Sequence, residues 1–391
     1  MSFMTNASPK FLLPLAFAFL FFTHPSALWA KKHHGTPTPT STPTAIATFT
    51  PTATPTPPSR VEKLYTFDAM WGSKGANHDQ LNAPEDIDIS PDGKMVIADT
   101  GNNRVVVWDS NGKPQEAYGS FGTVATWRNS PQFDHPCAVY VHPSKQIYVA
   151  DTHNQRIVVL DEGGLVVSTW GTQGKDNGQF NLPHGIGKDH YGNIFVLDSG
   201  NSRIQVFSGL GIFNYVWGSF GTEPGLMNMP LGMALNNIDQ VILADSGNFR
   251  IQVFNDQSGA TTMKTAPVTF LGWYGDGPYQ FKEPGGVVVT KTGTIAVADG
   301  ATGRVEFFNS RFEFIGQWKA KDEILTPNYA PRFRGIACDS DNRIYITDMQ
   351  TNAILRLKPV KAPEEPTFVP AKPTPTALEE NPYGGVGYPI R

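Results

Sequence analysis

This sequence is short of cysteine, of charge and of long apolar runs. Two cysteines, Cys137 and Cys338, in 391 residues exclude the disulfide framework on which small secreted domains depend and the clustered Cys/His pattern of structural zinc modules. Charged residues make up 17% of the chain and the net charge is −4, so no basic footprint marks it for nucleic acid. The one strongly apolar stretch, FLLPLAFAFLFF at residues 11–22, is too short to cross a bilayer comfortably. It follows Lys10 and precedes SALWA, which ends at Ala30; this is the charged, apolar and cleavage-site order of a secretory signal. Cleavage after Ala30 is expected, with a retained anchor as the alternative. A secreted, periplasmic or cell-envelope location follows, with no transmembrane span once the signal is removed.

Glycine and proline, by contrast, are plentiful, at 38 and 32 residues. The proline is unevenly spread. Residues 35–58 read GTPTPTSTPTAIATFTPTATPTPP, a composition that builds no core and favours an extended spacer. The tail after Pro359 is again proline-rich and is expected to be disordered. The organisation read from composition is a signal at 1–30, a Pro/Thr linker at 31–60, a folded domain at 61–359 and a tail at 360–391.

Inside the folded stretch one phrase recurs. An aspartate closes a short apolar run, a turn follows, and five residues later an arginine opens a second run. The pairs are Asp99 with Arg104, Asp151 with Arg156, Asp198 with Arg203, Asp245 with Arg250, and Asp299 with Arg304; a sixth copy begins at Asp348 but has Ala353 in place of arginine. Successive aspartates are 47 to 54 residues apart, the period of a propeller or array. Each unit divides into four short strands separated by Gly, Asn, Asp or Ser. Runs such as RVVVW and RIVVL lack strict alternation, as strands packed on both faces do. The fold class is therefore all-β, a six-bladed β-propeller of four-stranded blades. The sixth unit supplies only three strands, so the segment LYTFDAMWG at residues 64–72 is expected to complete it and close the ring. In this register Cys137 and Cys338 fall at different heights on non-adjacent blades, too far apart for a disulfide.

The P-x-G-I start at Pro183, the IxVADTGNxRIQVF centre and the WGS end at Trp217 resemble the NHL repeat family, over roughly residues 61–358. That resemblance implies a six-bladed ring whose function is not fixed by the fold. In a related six-bladed enzyme, peptidylglycine-amidating lyase, histidines in the channel hold zinc, one of them just after a proline at the start of an inner strand. His184 matches that position. The matching positions elsewhere are Glu85, Cys137, Leu231, Gly285 and Arg334, so the three-histidine set is not present. No cofactor is predicted, although the resemblance to propeller lactonases leaves room for a divalent cation in the channel.

Because Asp99, Asp151, Asp198, Asp245, Asp299 and Asp348 repeat, with arginines Arg104, Arg156, Arg203, Arg250 and Arg304 in the first five units, they read as blade hardware: the aspartate accepting N–H bonds in the turn, the arginine bridging to a neighbouring blade. The tryptophans of the fourth strands (Trp71, Trp170, Trp217, Trp318) read as packing residues. Function is expected where the repeats differ. The long connections at 121–135, with Trp127 and Arg128, and at 319–332, with Tyr329, fall on the face where inner strands begin; an insertion at 255–267 falls on the opposite face. The position after each proline forms a ring of unlike residues, and Glu85, Asp86, Cys137, His184 and Arg334, with Trp127 and Arg128 over the mouth, are the candidate ligand-binding residues. The expected role is a monomeric binding module for a protein, small molecule or carbohydrate, nucleic acid being disfavoured. The alternative is a channel-centred, metal-dependent lyase or hydrolase.

Overall fold

The computed structural model describes residues 63–255, 267–326 and 329–360. The segments read from the sequence as signal and linker, the residues after Val360 and nearly all of the insertion at 255–267 lie outside them. Six four-stranded antiparallel sheets make up the domain, each running from an inner first strand to an outer fourth strand. The first strands are Asp86–Ile89, Pro136–Val141, Pro183–Lys188, Gly232–Leu235, Pro284–Val289 and Phe333–Cys338. They line the central channel. The sixth sheet closes as the repeat count demands: its outermost strand is Tyr65–Trp71, paired antiparallel with Ala353–Pro359 from the far end of the domain.

The core lies between blades and not within them. Each of the six blade interfaces has its own cluster of buried apolar side chains. The third strand Arg104–Trp108 shows why the sequence pattern runs continuously. Val105 and Val107 pack towards blade 2, whereas Val106 and Trp108 pack towards blade 6. A strand buried on both faces needs no polar alternate, and each Val or Ile so buried contributes about 1.5–3 kcal/mol.

Fourth-strand aromatics stitch successive blades. A side chain added at Gly112, Gly164 or Gly211 would strike Trp71, Tyr118 or Trp170 of the preceding blade at 2.0 to 2.8 Å. All three glycines have φ between 78° and 80°, so a left-handed turn and an aromatic lid are satisfied by one residue. Trp318 stacks on Phe333 of the following blade. Both cysteines are free, Cys137 at the start of one inner strand and Cys338 at the far end of another.

Candidate functional site at the channel mouth

The repeated aspartates are wholly buried, and the pattern of their bonds explains the repeat. Asp99 takes the backbone N–H of Asn82 at 2.7 Å, the Asn102 side chain at 2.8 Å and Arg104 Nε at 2.7 Å. Arg104 in turn donates to the carbonyls of Ala76, Asn77 and Gln80. Asp151, Asp198 and Asp245 repeat this with Asp134, Asn181 and Asn228. The reading that confined the aspartate to its own turn is therefore too narrow. Its reach extends to the connection that enters the blade, and the arginine clamps that same connection. A hydroxyl beside the aspartate in blades 1 to 4 adds a link that the sequence reading missed: Thr100, Thr152, Ser199 and Ser246 donate to the carbonyls of Pro136, Pro183, Pro230 and Pro284 in the next blade, at 2.5 to 2.7 Å.

This clamp fixes where each inner strand starts, and so where the residue after the proline points. Glu85, Cys137, His184, Leu231, Gly285 and Arg334 all line the mouth of a channel cavity of about 260 Å³. Four of them are polar and meet. His184 Nδ1 is 3.9 Å and Arg334 Nε 3.6 Å from the same oxygen of Glu85, an oxygen that is buried and accepts no hydrogen bond among the described residues. Arg334 is also 3.5 Å from Glu283, itself bonded to Arg332 at 2.7 Å. Arg334 thus stands between two carboxylates without a close bond to either. Gly285 lets its strand approach the backbone of Arg334 closely, since a Cβ there would lie 2.9 Å from the Arg334 carbonyl oxygen.

Desolvation dominates the protonation of His184 and Cys137. Burial, aided by the positive charges of Arg334 and His153, pushes His184 down to about 4 against the pull of Glu85, so its ring is neutral near pH 7 with one nitrogen free to accept. Burial and the Glu85 charge push the Cys137 thiol well up, which keeps it protonated and unreactive. Asp86, deeper in the channel, is pushed up to about 8 by burial, and it still accepts the N–H of Val139 at 3.0 Å. Asp88 does the same for Val141 at 2.7 Å. Both tie the first strand of blade 1 to that of blade 2, so Asp86 has a bracing role in the channel wall.

Trp127 and Arg128 stand apart from this group. Arg128 N–H bonds the Val166 carbonyl at 2.8 Å and Asn129 accepts the Val166 N–H, at the start of the outermost strand of blade 2. The connection at 121–135 therefore runs along the perimeter. Trp127 is exposed under the Arg128 guanidinium, at the rim and not over the mouth. Tyr329 belongs to the blade clamp and not to the mouth. Its hydroxyl bonds Asp348 at 3.0 Å, taking the place of the arginine that the sixth repeat lacks.

Sequence reasoning read the residue after each proline but not the one before it. There the chain places Ala83, His135, Leu182, Met229, Glu283 and, ahead of Phe333, Arg332. Glu283 and Arg332 extend the site by an ion pair across blades 5 and 6. His135 joins Asp134 and His153 in a second polar group beside blade 2. The signal was available, since ligand-type residues replace apolar ones at a repeat position.

Residues 133–160 and 227–254 match the NHL repeat. NHL repeat-containing protein 3 of Homo sapiens is 32% identical over 103 residues, and that of Mus musculus 31%; the match spans 25% of this chain and 30% of theirs. Among solved structures, virginiamycin B lyase from Staphylococcus aureus superposes with a TM-score of 0.51 at 13% identity, over 76% of this chain and 100% of that one. A gluconolactonase from Xanthomonas campestris gives 0.53 at 15%, over 72% and 88%. At such identities the likeness is one of fold.

Proposed function

This chain is an NHL-repeat six-bladed β-propeller, and from that premise we propose that it is a binding module acting outside the cytoplasm, with its ligand seated in the polar mouth of the channel. One observation carries the reading. Arg334, Glu85 and His184 are brought together at positions where the fold requires nothing polar, and their bonding capacity is left largely unspent. A partly buried guanidinium 3.5 Å or more from its carboxylates suits a small molecule bearing an anionic group and a hydrogen-bond donor. The anion would take Arg334; neutral His184 would accept from the donor.

A panel of carboxylates, phosphates and acidic sugars, screened by thermal shift and then calorimetry, tests this. For the best binder, Arg334→Ala and His184→Ala each weaken binding by at least about tenfold, as loss of a charged or buried hydrogen bond does. Arg203→Ala, which loosens the blade clamp, has a smaller effect once stability is matched. Binding that uses neutral His184 persists as the pH falls through 6.5 and fails near about 4. Equal effects from all three variants would mean that the mouth merely lines a channel.

A second reading, a metal-assisted lyase or hydrolase, is favoured by one fact. Donor atoms of Glu85, Cys137 and His184 lie within 4.8 Å of one another, a carboxylate, thiol and imidazole set that suits a zinc-class cation. Such a cation would supply Lewis acidity at the mouth. Metal analysis of the purified protein, with Cys137→Ser as control, separates this reading from simple binding.

A further inference from the structure

We propose a divalent transition-metal site of the zinc class on the rim of blade 2, formed by Asp134, His135 and His153, separate from the channel group and independent of the ligand-binding reading. Asp134 Oδ1 is 2.7 Å from His135 Nδ1 and 3.4 Å from His153 Nδ1. Two donors at 2.0–2.1 Å from a tetrahedral metal are about 3.3 Å apart. Both separations reach that value with movements of well under 1 Å. The two imidazoles stack with centroids 4.2 Å apart and planes 28° apart, so both present Nδ1 to the same carboxylate. Each histidine side chain is 45% exposed and Asp134 29%, which leaves open coordination positions towards solvent for water or for an anionic donor on a ligand.

The repeat supplies the stronger argument. In blades 1, 3 and 4 the positions of Asp134 and His153 hold Asn with Gly: Asn82 with Gly101, Asn181 with Gly200, Asn228 with Gly247. A Cβ added to any of those glycines would lie 2.6 to 2.7 Å from the asparagine side chain. The two positions are therefore in contact by construction of the blade. In blade 2 the asparagine becomes aspartate, the glycine becomes histidine, and the residue that is Ala83, Leu182 or Met229 elsewhere becomes His135. Three departures from the repeat, at positions the fold brings together, all introduce metal ligands. Nothing in the blade clamp calls for them, since blades 1, 3 and 4 close without them.

The backbone beneath the three ligands is also held. Asp134 N–H is bound by Asp151 at 2.8 Å, His135 N–H by Asn103 at 2.9 Å, and His153 N–H by the Asp134 carbonyl at 3.0 Å. A metal would thus meet preplaced ligands and order little but side chains. Two imidazoles and one carboxylate select zinc, copper or nickel over calcium or magnesium.

The test is calorimetric titration of the full chain with zinc alone after chelator treatment. His153→Gly and Asp134→Asn serve as variants because each restores the residue that neighbouring blades carry, so the blade keeps its fold. Wild type shows a saturable zinc event that each variant weakens by more than about tenfold, the least that loss of a direct ligand costs. Cys137→Ser leaves that event intact, and the cobalt-substituted wild type shows no thiolate charge-transfer band from it. The adjacent histidines His33 and His34, ahead of the folded domain, are the same in all samples, so any zinc background from them is common to all. Zinc binding unchanged in both variants, or lost in Cys137→Ser, overturns the proposal, and so does the absence of a saturable event in the wild type.

Discussion

Glu306 occupies the third-strand position that Gln205 and Gln252 hold in blades 3 and 4. Gln205 accepts the N–H of Gly178 at 2.9 Å and Gln252 that of Gly225 at 2.8 Å; Glu306 accepts the N–H of Tyr279 at 3.1 Å. Its side chain is fully buried, and desolvation lifts it from its ordinary 4.5 to about 8, outweighing the nearby Arg304. A carboxyl whose folded value is raised makes the folded state bind the extra proton. Its contribution to stability is therefore fully present below 4.5 and is lost as the pH rises towards about 8. Glu306→Gln keeps the acceptor and removes the titration. Denaturant midpoints of the variant and parent should coincide below 4.5, diverge in the variant's favour through the interval, and hold a constant gap above about 8. A gap independent of pH would show that Glu306 does not titrate there.

At the scale of the element, the unit of construction is the connection that enters each blade, pinned by an aspartate and an arginine. Blade 6 lacks the arginine and recruits Tyr329 from a longer connection instead. Asp348 receives this hydroxyl together with the Arg332 N–H at 2.8 Å and the Thr351 hydroxyl. Tyr329→Phe removes one donor from a buried carboxylate, which costs about 1–3 kcal/mol. Urea denaturation should show a lower midpoint at an unchanged slope. An unaltered midpoint would mean that the longer connection is not part of the clamp.

Closure is the property of the whole molecule. Tyr65–Trp71 covers the edge of Ala353–Pro359, and Tyr65 stacks on Phe307 of blade 5 with centroids 4.7 Å apart. Glu323, in the connection from blade 5, accepts from Thr66 and from the Phe67 N–H, while Arg356 holds Asp68 at 2.6 Å. A chain that begins at Gly75 loses all of these and exposes an unpaired strand edge. It should melt at a lower temperature than the parent and associate on standing, as seen by scanning calorimetry and light scattering. Equal melting would mean that the ring does not depend on this strand.

Much of this molecule is written in short-range terms. The recurrence of aspartate, turn and arginine determined the blade number, because a residue required by every blade must recur in every blade. The missing fourth strand of the last unit determined the closure, because an open sheet edge is costly. The channel ring Glu85, Cys137, His184 and Arg334 was legible for the same reason: register fixes which residue follows each proline, or Phe333 in the last unit. Where the long connections travel was not legible. Only tertiary packing against Val166 carries Trp127 and Arg128 to the rim, and only the empty arginine position beside Asp348 draws in Tyr329. The grouping of Asp134, His135 and His153 likewise depends on two segments 18 residues apart meeting where a glycine normally sits. A repeat pattern gives each residue its place within a blade; contacts between a blade and the connection entering it form only when the ring is assembled.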